Sequence, residues 1–178
     1  MSTPSEKTRY LLDKNVARYA IAGLRFGHLR PLSHEELDAL IFWRAMELQG
    51  ASLYISHTSF HILHRLAGYA EVQTLLDSVA VLWPTRYYTR WTRRIRETTG
   101  LSREDCAQIA LASFGTDSEG RILGVHYLVT YDQPLARGYR NYIAVLNRRL
   151  HAMTAQLPPP FNQALLPALA TPDEFLGG

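Results

Sequence analysis

The chain has 178 residues, of which 47% are apolar and 20% charged, with a formal net charge of +3. That composition suits one soluble globular domain with a real core, and the mild basic excess permits a polyanionic partner without requiring one. The single cysteine, Cys106, excludes a disulfide framework. The polar start "MSTPSEKTRY" lacks a signal-peptide core, and no stretch reaches the roughly 18 apolar residues of a membrane span, so a cytoplasmic protein is expected.

"RYLLD" (Arg9–Asp13) is an apolar run ending on a carboxylate and reads as a buried strand. "VARYAIAGL" (Val16–Leu24) follows as a short helix, then a loop through Leu32. Ser33 and Glu36 have capping-box spacing, and Leu37, Leu40, Ile41 and Ala45 recur at helical intervals. This helix is expected to run to about Gln49 and to stop at Gly50. "ASLYIS" (Ala51–Ser56) is the second strand. A helix through "TSFHILHRLAG" and a short one over Ala70–Asp77 come next. "SVAVLWP" (Ser78–Pro84) is the third strand, and Tyr87–Gly100 a helix rich in arginine. Ser102 caps "REDCAQIALASFG", which Gly115 ends. After the polar loop "TDSEGR", Ile122–Asp132 reads as the fourth strand and Leu135–Met153 as a long helix. "QLPPPF" breaks it, and "QALLPALATPDEFL" holds a last strand and a short terminal helix. No repeat or second domain is visible. One domain over 1–178 is expected, with 1–8 a disordered or extended N-terminal segment and 154–178 a Pro-rich tail.

Strand and helix alternate almost throughout. The pattern predicts an α/β fold of three layers: a central, mostly parallel sheet of four to five strands with helices on both faces. In such sheets a site lies beyond the carboxyl ends of the strands. Asp13 follows the first strand and Asp132 the fourth, while Asp105 opens the helix that leads back into the fourth. Three carboxylates thus have a route to one edge. Like charges packed together need compensation, and a divalent cation supplies it. Each aspartate also has a plainer reading. Asp105 suits a helix dipole, and Asp132, ahead of Gln-Pro, suits a turn.

In order along the chain, four stretches resemble the motifs of the PIN domain family. "YLLDKNV" resembles the first, an apolar strand followed by Asp-x-Asn. "SREDCAQIALASFG" resembles the third, an acid ahead of an alanine-rich helix, and "YLVTYD" the fourth, Thr-x-Asp. "TPDEFL" (Thr171–Leu176) is similar to the Pro-x-x-Phe-Leu ending of bacterial members. The resemblance implies a metal-dependent ribonuclease with Asp13, Asp105 and Asp132 as catalytic carboxylates that hold Mg²⁺ or Mn²⁺. It implies Asn15 and Thr130 as hydrogen-bonding residues behind them. The implied partners are an RNA substrate, an antitoxin protein if the chain is a toxin, and a second copy in a homodimer, with no membrane.

One departure from the family is plain. The glutamate usual in the helix after the second strand is missing from "ISHTSFHILHRL". His61 and Ile62 fall about where it belongs. His57, His61 and His64 form one helical stripe, so His61 is the candidate replacement ligand; the alternative is a half-exposed polar flank. Glu104 is a further acid beside Asp105. Arg86, Arg90, Arg93 and Arg94, interleaved with Tyr87, Tyr88 and Trp91, are candidates for binding RNA phosphates and bases. The alternative is a solvated face over buried aromatics. Two functional classes remain: a metal-dependent endoribonuclease, and a degenerate domain that binds RNA or a protein without cutting. A receiver-like or haloacid-dehalogenase-like phosphoryl-transfer site fits poorly, because "LLDKNV" lacks the second acid such sites carry.

Overall fold

The computed structural model describes residues 6–177. Five strands form one sheet: β1 (Arg9–Leu12), β2 (Ser52–Ser56), β3 (Ala80–Leu82), β4 (Tyr127–Val129) and β5 (Ala168–Ala170). Their order is β3-β2-β1-β4-β5, and every pairing is parallel. Seven helices surround them among the described residues: α1 (Lys14–Phe26), α2 (His34–Leu48), α3 (His57–Arg65), α4 (Ala70–Ser78), α5 (Tyr88–Thr99), α6 (Arg103–Phe114) and α7 (Gln133–Thr154). The expected three-layer α/β architecture is present. Residues 1–5 of the expected N-terminal segment lie outside the described residues. No helix among the described residues is long and apolar enough to cross a membrane.

The side-chain period of two in β1 divides the core. Leu11 points to one face and Tyr10 and Leu12 to the other. The Leu11 face is packed by Trp91 and Ile95 of α5, Ile109 and Phe114 of α6, and Leu146 and Leu150 of α7. The opposite face is packed by Val16 and Ala20 of α1, Phe42 and Trp43 of α2, and Leu75 of α4. Each such fully buried Val, Leu, Ile or Phe contributes roughly 1.5–3 kcal/mol, so both layers are integral to the fold.

The capping box at α2 forms as read. Ser33 Oγ accepts from the Glu36 N–H, and the Glu36 carboxylate accepts from the Ser33 N–H. Arg30 grips the same carboxylate through both Nη atoms, at 2.8 and 2.9 Å, and holds its pKa down at about 2.

Two strands are shorter than their apolar runs. β4 starts at Tyr127 rather than Ile122 because the chain turns at Gly124, which has φ +73°. The N–H groups of Gly124 and Val125 go to Gly115 and Ala112 carbonyls at 2.7 and 2.8 Å, not to the sheet. Val125 is buried against the core without being in a strand. β3 stops at Leu82, after which Trp83 pairs antiparallel with Thr116. The tail behaves as expected: β5 pairs with β4, and Pro172–Phe175 forms a 3-10 turn.

Candidate functional site

The sheet order places the site. From β1 the chain moves outward to β2 and β3, then returns to lay β4 on the other side of β1. The crossovers after β1 and after β3 run over opposite faces, so the layers part between the carboxyl ends of β1 and β4. This is the topological switch point of an open parallel sheet, where a crevice forms. Asp13 stands at the end of β1 and its N–H donates to the Val129 carbonyl at 2.9 Å, which ties the two strand ends together.

Asp13 is the N-cap residue of α1, yet its carboxylate makes no capping bond. Oδ1 accepts from Gln108 Nε2 at 2.7 Å and Oδ2 from Thr130 Oγ1 at 3.0 Å. The side chain is 6% exposed. These two hydrogen bonds satisfy both oxygens of the buried carboxylate. Thr130 is fully buried and has two roles, because its Oγ1 also accepts from the Asp132 N–H at 3.1 Å. Asp132 does cap its helix: Oδ1 accepts from the Leu135 N–H at 2.9 Å.

Asp105 lies in the first turn of α6, where its N–H donates to Ser102 Oγ at 3.1 Å. Its pKa is raised, first by burial and then by the charges of Asp132, Glu104 and Asp13, with the Ser102 hydrogen bond opposing. The three aspartates therefore share one field. Glu104 forms an ion pair with Lys14 Nζ. That lysine has its pKa raised chiefly by the Glu104 bond and, to a smaller extent, by Asp13 and Asp105.

An all-oxygen set of carboxylates is the donor chemistry that Mg²⁺ and Mn²⁺ prefer. Among the described residues, no three Asp, Glu, His or Cys side chains stand close enough to hold an ion as they are. The donor types fit. Metal binding would require the carboxylates to draw together.

α3 places its residues differently from the expectation. The helix begins at His57 directly after β2, with Ser56 as its N-cap. This phase buries Ser59 and leaves His61 and His64 exposed. His61 sits against the Trp83 ring, with centroids 6.0 Å apart, and it is not among the charges acting on Asp105. Ser59 instead shares a cleft of about 130 Å³ with Lys14, Glu104 and Gln108. His57 and Thr58 of α3 line the same cleft. Asn15 lines a groove between α1, α3 and α4, and its side chain makes no hydrogen bond among the described residues. Gln108 went unread, although it lies one turn beyond Asp105 on the same helix face.

The arginine-bearing α5 buries Trp91 and Ile95 and leaves Arg90 and Arg93 exposed, as is Arg86 just ahead of it. Arg93 Nε is 4.0 Å from Glu97, and the Arg86 guanidinium lies 5.5 Å from the Tyr87 ring. These four arginines, Arg94 included, make no hydrogen bond or ion pair with the three aspartates. Comparison with protein-family models, with curated proteins and with solved structures finds no match to this chain.

Proposed function

We propose that the chain is a metal-dependent endoribonuclease of PIN type, in which Asp13, Asp105 and Asp132 hold Mg²⁺ or Mn²⁺ beside an RNA phosphodiester. The observation that carries this reading is the Asp13 carboxylate. It declines its own helix cap and is held by Gln108 and Thr130 at the switch-point crevice, within the field of Asp105 and Asp132. A bound ion would supply a Lewis acid and a water of lowered pKa for hydrolysis. The chain's own residues do the rest. Thr130 and Gln108 fix the direction of Asp13. Burial, and then the charges of Asp132, Glu104 and Asp13, raise the pKa of Asp105, and a bound cation would favour its ionised form. Lys14 balances part of the negative charge at the rim. With three acids rather than four, the metal affinity is weak, and Mn²⁺ serves better than Mg²⁺.

A second reading has its own support. Ser59 in the place of an acid, and Lys14 bound to Glu104, both lower the net negative charge of the edge. A domain that binds RNA or a protein partner without cutting would tolerate both. An antitoxin as partner belongs to the first reading if the chain is a toxin. Mn²⁺ titration followed by calorimetry separates the two. The nuclease reading expects saturable Mn²⁺ binding that Asp132→Asn weakens at least tenfold. Equal binding by both proteins, or none by either, favours the binding module.

A further inference from the structure

The opposite edge of the sheet carries a second polar cavity. β1 begins there with Arg9, a cation at the first position of the central strand and only 8% exposed. Burying a guanidinium requires partners. Nε donates to the Gly124 carbonyl at 2.9 Å, and Nη1 to the Glu6 carboxylate. Nη2 has no hydrogen-bond partner among the described residues. The Arg9 backbone N–H donates to His126 Nδ1 at 3.0 Å, which leaves the neutral ring with its proton on Nε2. Burial, and then the Arg9 charge, push the His126 pKa down and favour the neutral ring.

Arg9 and His126 line a cavity of about 640 Å³, a size typical of small-molecule sites. Lys7 and Arg121 add two more cationic side chains, and Ser52 and Gln163 add neutral donors. Ile122, Leu123 and Leu165 make one apolar wall. The single acid in the lining, Glu6, is already bound by Arg9. Arg121 Nε is shared between Glu119 at 2.9 Å and Asp117 at 3.6 Å, so this residue contributes free N–H donors more than net charge. The wall is fixed. A Cβ added at Gly124 would stand 2.7 Å from the Ser113 carbonyl, so the loop is seated tightly on α6. Donors are in excess and acceptors in deficit. The complementary ligand is rich in acceptors, anionic at one end and apolar at the other.

We propose that this cavity binds a phosphate monoester of nucleotide size. Arg9, Lys7 and Arg121 take the phosphate, and the rest of the ligand lies on Ile122, Leu123 and Leu165. The site is separate from the acidic edge and stands whether or not that edge cleaves RNA. The test is an amide NMR titration of the full chain with adenosine 5′-monophosphate, with inorganic phosphate and adenosine as comparison probes. The nucleotide is expected to shift the signals of Ser52, Leu123, His126 and Gln163, and to bind more tightly than either comparison probe. Arg9 is buried in the central strand, so rim variants keep the test independent of folding. Lys7→Ala and Arg121→Ala should each weaken binding on the order of tenfold, the loss of one charge-assisted hydrogen bond. Asp132→Asn should leave it unchanged. Unmoved signals at millimolar nucleotide, adenosine binding as tightly as the nucleotide, or rim variants with wild-type affinity would overturn the proposal.

Discussion

At the scale of single residues, Asp105 separates stability from function. Its folded-state pKa lies above the ordinary 3.8, so the fold disfavours the ionised form. The sign follows directly: this group lowers stability as pH rises through its folded pKa and stops doing so as pH falls toward 3.8. Asp105→Asn removes the penalty. The variant is expected to melt above wild type at pH 7, with the gap narrowing by pH 4. Thermal melts across that range check it, and a variant less stable than wild type at pH 7 would contradict it. Ser59 gives a second test at this scale. Ser59→Asp places a fourth carboxylate in the cleft with Gln108 and Glu104 and should raise Mn²⁺ affinity roughly tenfold. His61→Glu, out by Trp83, should leave affinity unchanged. Calorimetry that finds the gain in His61→Glu instead would refute the helix phase. The positions of the three aspartates and Thr130 were legible because each stands at a strand end or in the first turn of a helix. Gln108 and the Lys14–Glu104 pair were not. They act across 95 and 90 residues of sequence, and no local pattern encodes such contacts.

At the scale of elements, periodicity and caps gave the helices, and the misses have physical causes. The stretch Ile122–Val129 is mostly apolar, but Gly124 with its positive φ diverts its first half onto α6. Burial alone does not tell a strand from a buried loop. The α3 phase was missed because no loop separates β2 from the helix, so the inward residue is the third of the helix and not the fifth. Helix contact also yields a prediction. Gly23 of α1 lets α2 approach closely, and an added Cβ would stand 2.8 Å from the Glu36 carbonyl. Alanine is the better helix former by roughly 1 kcal/mol, but backbone cannot yield as a side chain tip can. Gly23→Ala should therefore destabilise the protein by about 1–3 kcal/mol in denaturant melts. A stabilised variant would show that α1 and α2 pack more loosely than described.

At the scale of the whole molecule, the alternation of strand and helix made the parallel three-layer fold readable, but not the strand order. That order, with β4 beside β1, is set by which faces the helices bury. It brings residues 13 and 132 to one crevice and leaves the buried Arg9 cavity at the other end of the same strand. The central claim is that the crevice cleaves RNA with a divalent ion. The most direct test is cleavage of mixed RNA by wild type and Asp132→Asn in Mg²⁺, in Mn²⁺ and in chelator. The account predicts cleavage by wild type that is stronger in Mn²⁺, absent in chelator, and at least 100-fold lower in Asp132→Asn while its fold is kept. Equal cleavage by the two proteins, or none by wild type in either metal, would contradict it.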